Sequence, residues 1–334
     1  MTIGTRNLTD SFGRTITYLR LSITDRCNLR CFYCMPQADF NWMEPTEILR
    51  FEEIVQLTRV LASLGVKKVR FTGGEPLVRR DVVKLIRDVS SLPGVEETCL
   101  TTNGVLLSQM SKELFDAGLR HLNISLDTLR PERFQAITGR DHFRSVWRGI
   151  EEGLELGFSP VKINFVMMRG KNDDEIVDFA RLTRKYPLDV RFIEFMPIGK
   201  HSKWGRNHFL SSDEALKRIA EELGSLSPVE SEYGSGPAEM YVLSDGIGRI
   251  GFISPLSHRF CSRCNRLRIT ADGRLRLCLF SDLEVCVRDM LRQGVTDQEL
   301  AEFFSDIILK KPARYLSHKK DVPTCDRQMS SIGG

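Results

Sequence analysis

Residues 16–34 read ITYLRLSITDRCNLRCFYC, an apolar run followed at once by three closely spaced cysteines. The run ITYLRLSIT, rich in β-branched and apolar residues, predicts a β-strand. The cysteines, spaced Cys27-x3-Cys31-x2-Cys34, then fall in the loop at that strand's C-terminal end. Outward from this strand the chain alternates in kind. ILRFEEIVQLTRVLASLG (48–65) has helical spacing and stops at a glycine, and KKVRFT (67–72) predicts a second strand that runs into the loop GGEPLVR. The series continues with helix DVVKLIRDVSSL, strand ETCLTT, helix SQMSKELFDAG, strand HLNISLD, helix HFRSVWRGIEEGLELG, strand VKINFVMM, helix DDEIVDFARLTRKY and strand DVRFIEFMP.

Six or seven strand–helix repeats predict a parallel sheet with right-handed crossovers and ligand sites at the C-terminal strand ends. The conspicuous loop residues fall at those ends: Gly73-Gly74-Glu75-Pro76, Asn103-Gly104, Ser125 with Asp127, and Met196-Pro197. That placement favours an α/β fold built as a partial or full barrel. An open doubly wound sheet is the alternative. After about residue 205 the pattern changes to a capped helix (SSDEALKRIAEELG), short strand-like pieces (MYVLSD, RIGFIS), a cysteine-bearing stretch and two expected helices, LEVCVRDMLRQG and TDQELAEFFSDIILKK. We place the domain division at 10–220 and 221–334. The tail PARYLSHKKDVPTCDRQMSSIGG is expected to be mobile.

The chain has 334 residues, a net charge of only +4 and an ordinary globular composition. So mild a charge gives no support to nucleic-acid binding. No stretch reaches the ~18 unbroken apolar residues of a membrane helix, and the first residues lack a signal-peptide core. We therefore expect a cytoplasmic protein with no membrane contact. Thiols stay reduced there, and nine cysteines, an odd number, read as metal ligands, catalytic groups or core fillers before disulfides.

Three thiolates on one short loop can hold three irons of a [4Fe–4S] cluster and leave the fourth iron open. An open iron could take the amino and carboxylate groups of S-adenosylmethionine (SAM). Zinc fits this group poorly, because it ordinarily takes four ligands and no histidine is near. With Tyr33 before the last cysteine and Gly73-Gly74-Glu75-Pro76 after the second strand, the sequence resembles the radical SAM superfamily. The resemblance implies an incomplete TIM-like (βα)6 barrel, of about six strand–helix units, with GGEP meeting the amino end of SAM; glycines let a backbone approach a ligand closely.

A second group, Cys261-x2-Cys264-x13-Cys278, lies in HRFCSRCNRLRITADGRLRLCLF. Zinc is a serious reading here, with His258 or Cys286 as fourth ligand; a second cluster with one open iron explains the same thiols without a fourth. The two groups, the sequence CNRLR and the terminal Gly333-Gly334 make the chain, from about residue 10 to its end, similar to the GTP 3′,8-cyclase family of molybdenum-cofactor biosynthesis. That resemblance implies two [4Fe–4S] clusters and SAM. It implies that the first cluster cleaves SAM, that the second binds guanine, and that hydrogen removal from ribose C3′ leads to attack on guanine C8. The product would be (8S)-3′,8-cyclo-7,8-dihydroguanosine 5′-triphosphate, passed to a downstream pyranopterin-forming enzyme. An external electron donor is implied, and the exposed face of an incomplete barrel could support a homodimer.

A triphosphate needs several cations, and arginine suits phosphate oxygens through its planar fork of donors. Arg20, Arg70, Lys162 and Arg191 lie on expected barrel strands, and Arg266 and Arg268 are two apart, hence on one face if extended. The resemblance implies that these, with Thr101 and Leu267, line the GTP site. It further implies SAM contacts from Tyr33, Gly74, Ser125 and Met196, catalytic roles for Cys27, Cys31, Cys34, Arg266 and Arg268, and a terminal Gly333-Gly334 that reaches the active site. No G-x4-GK[ST] phosphate loop occurs. Cys99 and Cys286 read as thiols in or near the core, the latter on an amphipathic helix, and Cys325 as an exposed tail residue. Two other readings are a peptide-modifying radical SAM enzyme with an auxiliary cluster and a zinc-dependent nucleic-acid-binding module. The former usually carries more C-terminal cysteines, and the latter lacks a strongly basic face.

Overall fold

The computed structural model describes residues 7–35, 42–199, 204–230, 236–315, 325 and 327–333. Six strands follow the chain in order: β1 (Tyr18–Ser22), β2 (Lys68–Thr72), β3 (Glu97–Thr102), β4 (His121–Ser125), β5 (Val161–Met167) and β6 (Asp189–Glu194). Between them run α1 (Phe51–Ser63), α2 (Val82–Ser90), α3 (Leu107–Asp116), α4 (Pro131–Thr138), α5 (Phe143–Glu155) and α6 (Ile176–Lys185). After β6 come α7 (Ser212–Leu223), β7 (Leu226–Val229), β8 (Glu239–Leu243), β9 (Arg249–Ile253), β10 (Arg266–Ile269), β11 (Arg274–Arg276) and β12 (Glu284–Cys286). The described chain closes with α8 (Arg288–Arg292), α9 (Asp297–Ile308) and the single turn α10 (Met329–Ile332).

The strands form one sheet in the order β12-β11-β10-β1-β2-β3-β4-β5-β6-β9-β8-β7. Strands β1 to β6 are parallel and neighbour one another in chain order; β10 joins β1 and β9 joins β6, both parallel. With right-handed crossovers, a strand order that never reverses puts every helix on the same face. A doubly wound sheet requires a reversal. The sheet is therefore an incomplete barrel with a bare concave face, capped at each end by antiparallel strands.

Side-chain parity separates the two faces. Leu19, Leu21, Val69, Phe71, Leu100 and Ile163 are fully buried in the core under the helices. Residues of the other parity, Tyr18, Arg20, Arg70, Asn123, Asn164 and Arg191 among them, line the concave cavity. Polar residues buried at alternate positions therefore mark the ligand side, where their charge would be costly without a partner.

Three sequence expectations are corrected. The expected helix LEVCVRDMLRQG is a strand and then one helical turn: Glu284–Cys286 pairs with β11, and only Arg288–Arg292 is helical. Glu284 lies opposite Arg276 and is ion-paired to it, and Val285 suits a strand better than a helix. Cys286 thus sits on β12 and not on a helix. The end of the tail is packed where it is described, at 325 and 327–333: Cys325 is 2% and Ile332 1% exposed, both in a small apolar cluster with Ile198 and Phe280, whereas Ala313 and Arg314 at its start are exposed. Cys325 is therefore buried, its thiol accepting from Arg276 Nη2 at 3.0 Å. No helix among the described residues is long and apolar enough to cross a membrane.

Candidate active site

The first cysteine loop leaves β1 and is held from several sides. Within it, Cys34 N and Met35 N donate to the Cys31 carbonyl at 3.0 and 2.9 Å. Outside it, Arg30 N and Phe32 N donate to the carbonyls of Thr138 and Ile137, at the C-terminal end of α4. That helix, which the sequence reading missed, starts on Pro131 and stops on Gly139 at φ +71°. Gly73 and Gly74 pack edge-on against residues 24–26, with Gly74 N donating to Thr24 O and Glu75 N to Arg26 O, both at 2.7 Å. A Cβ on Gly74 would lie 2.3 Å from Arg26 O and 2.4 Å from Asp25 O. Both glycines serve the approach of GGEP to the strand that delivers Cys27.

The sulfurs are surrounded by donors that suit thiolate ligands. Leu29 N and Asn103 Nδ2 donate to Cys27 Sγ at 3.4 and 3.7 Å, and Ser330 N donates to Cys34 Sγ. Burial nonetheless pushes Cys34 up to about 12 and Cys31 well above its ordinary value, with neighbouring thiols and Asp127 adding to it. Assembly of a cluster on this loop therefore releases protons. Asn103 also donates to Asn28 at 2.7 Å, and its N–H goes to Glu75 Oε2 at 2.6 Å. Burial raises Glu75 to about 7 against three hydrogen bonds that lower it. Tyr33 O–H donates to Asp127 Oδ2 at 2.5 Å, and Val166 N donates to the other carboxylate oxygen at 2.8 Å. Asp127 is thereby fixed although burial holds it near 6.

The cations of the concave face form a layer. Strand register places Arg268 opposite Arg20 and Arg20 opposite Arg70, and on the other side Asn164 opposite Arg191. Neighbouring strands are about 4.8 Å apart, so these guanidinium groups crowd one another. Burial and mutual repulsion lower Arg20 and Arg191 to about 10, Arg268 well below its usual value, and Lys162 to about 7. Arg70 differs. It donates to Tyr18 Oη, to Leu100 O at 3.2 Å and to Thr101 Oγ1 at 3.3 Å, and that phenol helps to hold its pKa up against burial.

The second cysteine group frames the hairpin β10–β11. Cys264 precedes β10 and Cys278 follows β11; since Arg268 pairs with Arg276, continuing the register brings Cys278 opposite residue 266. The 13-residue gap is thus a hairpin that returns the third cysteine to the other two. Arg14 Nη1 donates to Cys261 O at 2.8 Å, and Lys311 Nζ to Arg266 O at 2.9 Å and to Leu277 O. Burial raises the Cys264 thiol, but Arg266 and Lys311 beside it prevail and hold it near 6. The two possible zinc ligands are engaged elsewhere. His258 Nε2 meets Asp213 at 2.8 and 2.9 Å, and Cys286 bonds Asp289. Among the described residues no three His, Cys, Asp or Glu side chains are arranged to hold a single metal ion.

One cavity brings together Arg20, Arg70, Arg191, Arg266, Arg268 and the second cysteine group, with Met196 on its wall. Lys162 and Thr101 sit on adjoining strands, outside its lining, as do Ser125, Tyr33, Gly74 and the first cysteine group. Leu267 points to the helix side and is 1% exposed, so only its backbone could meet a ligand. Gly333 enters from the tail: its carbonyl accepts from Arg268 Nη1 at 2.9 Å, and a Cβ there would lie 2.6 Å from Thr72 Cγ2. Gly334 lies outside the described residues. The sequence reading missed Tyr18, Asn123, Asn164 and Lys311. Asn123 Oδ1 and Asn164 Oδ1 are buried without a partner among the described residues. The signal for them was parity, since all three strand residues share the phase of the arginines.

Comparison with known proteins agrees in scope with this architecture. The radical SAM superfamily profile matches residues 21–183, and the Molybdenum Cofactor Synthesis C profile matches residues 188–317. The chain is 46% identical over 97% of its length to a GTP 3′,8-cyclase of Pelotomaculum thermopropionicum, and 48% identical over the same share to one of Moorella thermoacetica; 99% of each relative is covered. Among solved structures, Streptococcus suis SuiB bound to S-adenosylmethionine superposes with a TM-score of 0.60 at 16% identity, over 91% of this chain and 69% of SuiB. That likeness carries the fold alone.

Proposed function

This chain belongs to the family of GTP 3′,8-cyclases, radical SAM enzymes of the first step of molybdenum-cofactor biosynthesis, and from that membership we propose how its residues share the work. Radical SAM chemistry uses a [4Fe–4S] cluster and SAM. Cys27, Cys31 and Cys34 would hold that cluster, and the N–H donors on their sulfurs support the assignment. When bound, the cluster and SAM supply the carbon radical that abstracts hydrogen from ribose C3′. Cys261, Cys264 and Cys278 would hold a second cluster, supported by the hairpin that gathers them and by the engagement of His258 and Cys286 elsewhere.

The observation that carries the substrate reading is the buried layer of cations beside the second cysteine group. Arg20 and Arg268 repel each other, Arg70 repels both Arg20 and Arg191, and a triphosphate relieves that repulsion. Arg70, fixed by Tyr18 and β3, is preorganised to meet the same phosphates, with Thr101 at its side. Arg266 and Lys162 add charge at the two edges of the layer. Tyr33, held by Asp127, and Ser125, Gly74 and Met196 at the strand ends would orient SAM. The protein would act in the cytoplasm with an external electron donor and pass its product to a pyranopterin-forming enzyme.

Two measurements test these assignments. Anaerobic reconstitution should give about eight irons per chain, that is, two four-iron clusters. About four irons with one zinc would remove the second cluster. Replacing Arg266 or Arg268 by Ala should weaken GTP binding by at least about tenfold, since a charged hydrogen bond contributes ~1.5–3 kcal/mol. Unchanged affinity in both variants would take them out of the site.

A further inference from the structure

The described tail touches both cysteine groups, and Arg327 fastens it by ion pairs to Asp272 and Glu284. Arg327 donates two parallel hydrogen bonds to Asp272, Nη1 to Oδ1 at 3.1 Å and Nη2 to Oδ2 at 2.8 Å, while its Nε lies 3.3 Å from Glu284 Oε1. Asp272 sits at the tip of the β10–β11 hairpin, 8% exposed, and also accepts from Thr270 Oγ1 at 2.5 Å and Arg274 Nε at 3.0 Å. Beyond Arg327 the chain makes the turn Met329–Ile332, and Ser330 N then reaches Cys34 Sγ. Three residues further, Gly333 O meets Arg268, which lies on the same hairpin four residues before Asp272. The hairpin therefore grips the tail at three points, Arg327 at its tip, Gly333 on β10 and Cys325 on β11, and its open end carries Cys264 and Cys278.

We propose that Asp272 and Arg327 form a clamp that positions the terminal segment, so that Ser330 N–H stays on Cys34 and the Gly333 carbonyl stays on Arg268. Asp272 and Arg327 are positioning residues, since neither lines the cavity. A bidentate pair at low exposure fixes direction as well as distance, which a single-turn helix cannot do alone. Without the clamp, the described holds that remain include the parallel bridge of Cys325 to Ile198 with its 2.8 Å hydrogen bond from Gly199 N to Cys325 O, the apolar contacts of Cys325 and Ile332 with Ile198 and Phe280, the Cys325–Arg276 contact, and the two hydrogen bonds the clamp serves. The consequence for turnover rests on the cyclase reading above; the clamp itself does not.

The test is hydrogen exchange of the reconstituted holoenzyme, comparing wild type with Arg327→Met and Arg327→Lys. In Arg327→Met the amides of Met329–Gly333 should exchange about tenfold faster or more, while those of β1–β6 keep their wild-type rates. Lysine keeps the charge and loses the fork, so its tail should exchange at an intermediate rate. Turnover with GTP should fall in the same order through kcat, with iron content and the KM for SAM unchanged. Tail amides as protected in Arg327→Met as in wild type would overturn the clamp. A rise in exchange throughout the β-sheet would overturn it too, by showing that the pair holds the whole fold. A wild-type protein that leaves GTP unchanged would instead defeat the cyclase reading, with the exchange result standing.

Discussion

Lys162 shows how a single side chain reports on its surroundings. It is 5% exposed, and burial next to Arg191 and Arg70 lowers it to about 7 from an ordinary 10.5. The folded, empty protein therefore releases this proton near pH 7, whereas the unfolded chain keeps it until about 10.5. Between those values the unfolded state binds more protons, so Lys162 costs the fold stability at neutral pH, and that cost fades as pH rises towards about 10.5. A triphosphate reverses the local balance by favouring the charged amine. GTP binding at pH 8 should then take up a proton, and affinity should fall as pH rises from 7 to 9. Calorimetry in buffers of different ionisation enthalpy measures that uptake directly. Lys162→Arg, charged throughout, should lose it; undiminished uptake in the variant would place the titrating group elsewhere. The arginines were legible in sequence because a cation inside an apolar strand is conspicuous. Asn123 and Asn164 share their phase but carry no charge, and nothing local set them apart.

Elements that deliver the site were legible where their periodicity was long. The six strand–helix units follow from alternation alone, and the glycines of GGEP from their place after β2. Gly74 makes a sharp prediction at this scale. A Cβ would meet backbone oxygens at 2.3 and 2.4 Å, so GGEP and the strap of residues 24–26 must part. Gly74→Ala should lose about four of the eight irons expected per chain and keep the far-ultraviolet spectrum of the fold. Full iron content in that variant would show that the strap can shift without disturbing Cys27. Helix α4 was missed although Pro131 at its first position and Gly139 just past its end are start and stop signals, because its eight residues give too short a run to show helical periodicity. The strand β12 was misread because Glu284–Cys286 borders a true helical turn, and only the cross-strand partner Arg276 shows which way it pairs.

At the scale of the whole molecule, the sheet and the tail divide the labour. The parallel strands present cations and the first cysteine loop; the hairpin β10–β11 adds the second cysteine group and closes against β1. The tail then enters a cavity that the sheet leaves open, a non-local arrangement that no local periodicity shows and that only the resemblance carried by the terminal glycines implied. Deleting Gly333 and Gly334 should therefore abolish cyclisation while both clusters remain, as read by iron content. Normal turnover of the truncated chain would make the tail a passive end. The central claim is that SAM-derived radical chemistry acts on ribose C3′ of GTP in this cavity. Its most direct test is an anaerobic reaction with SAM, reductant and GTP deuterated at C3′, followed by mass analysis of the products. The account predicts 5′-deoxyadenosine carrying the deuterium together with a cyclised nucleotide. Deoxyadenosine free of deuterium, beside unchanged GTP, would contradict it.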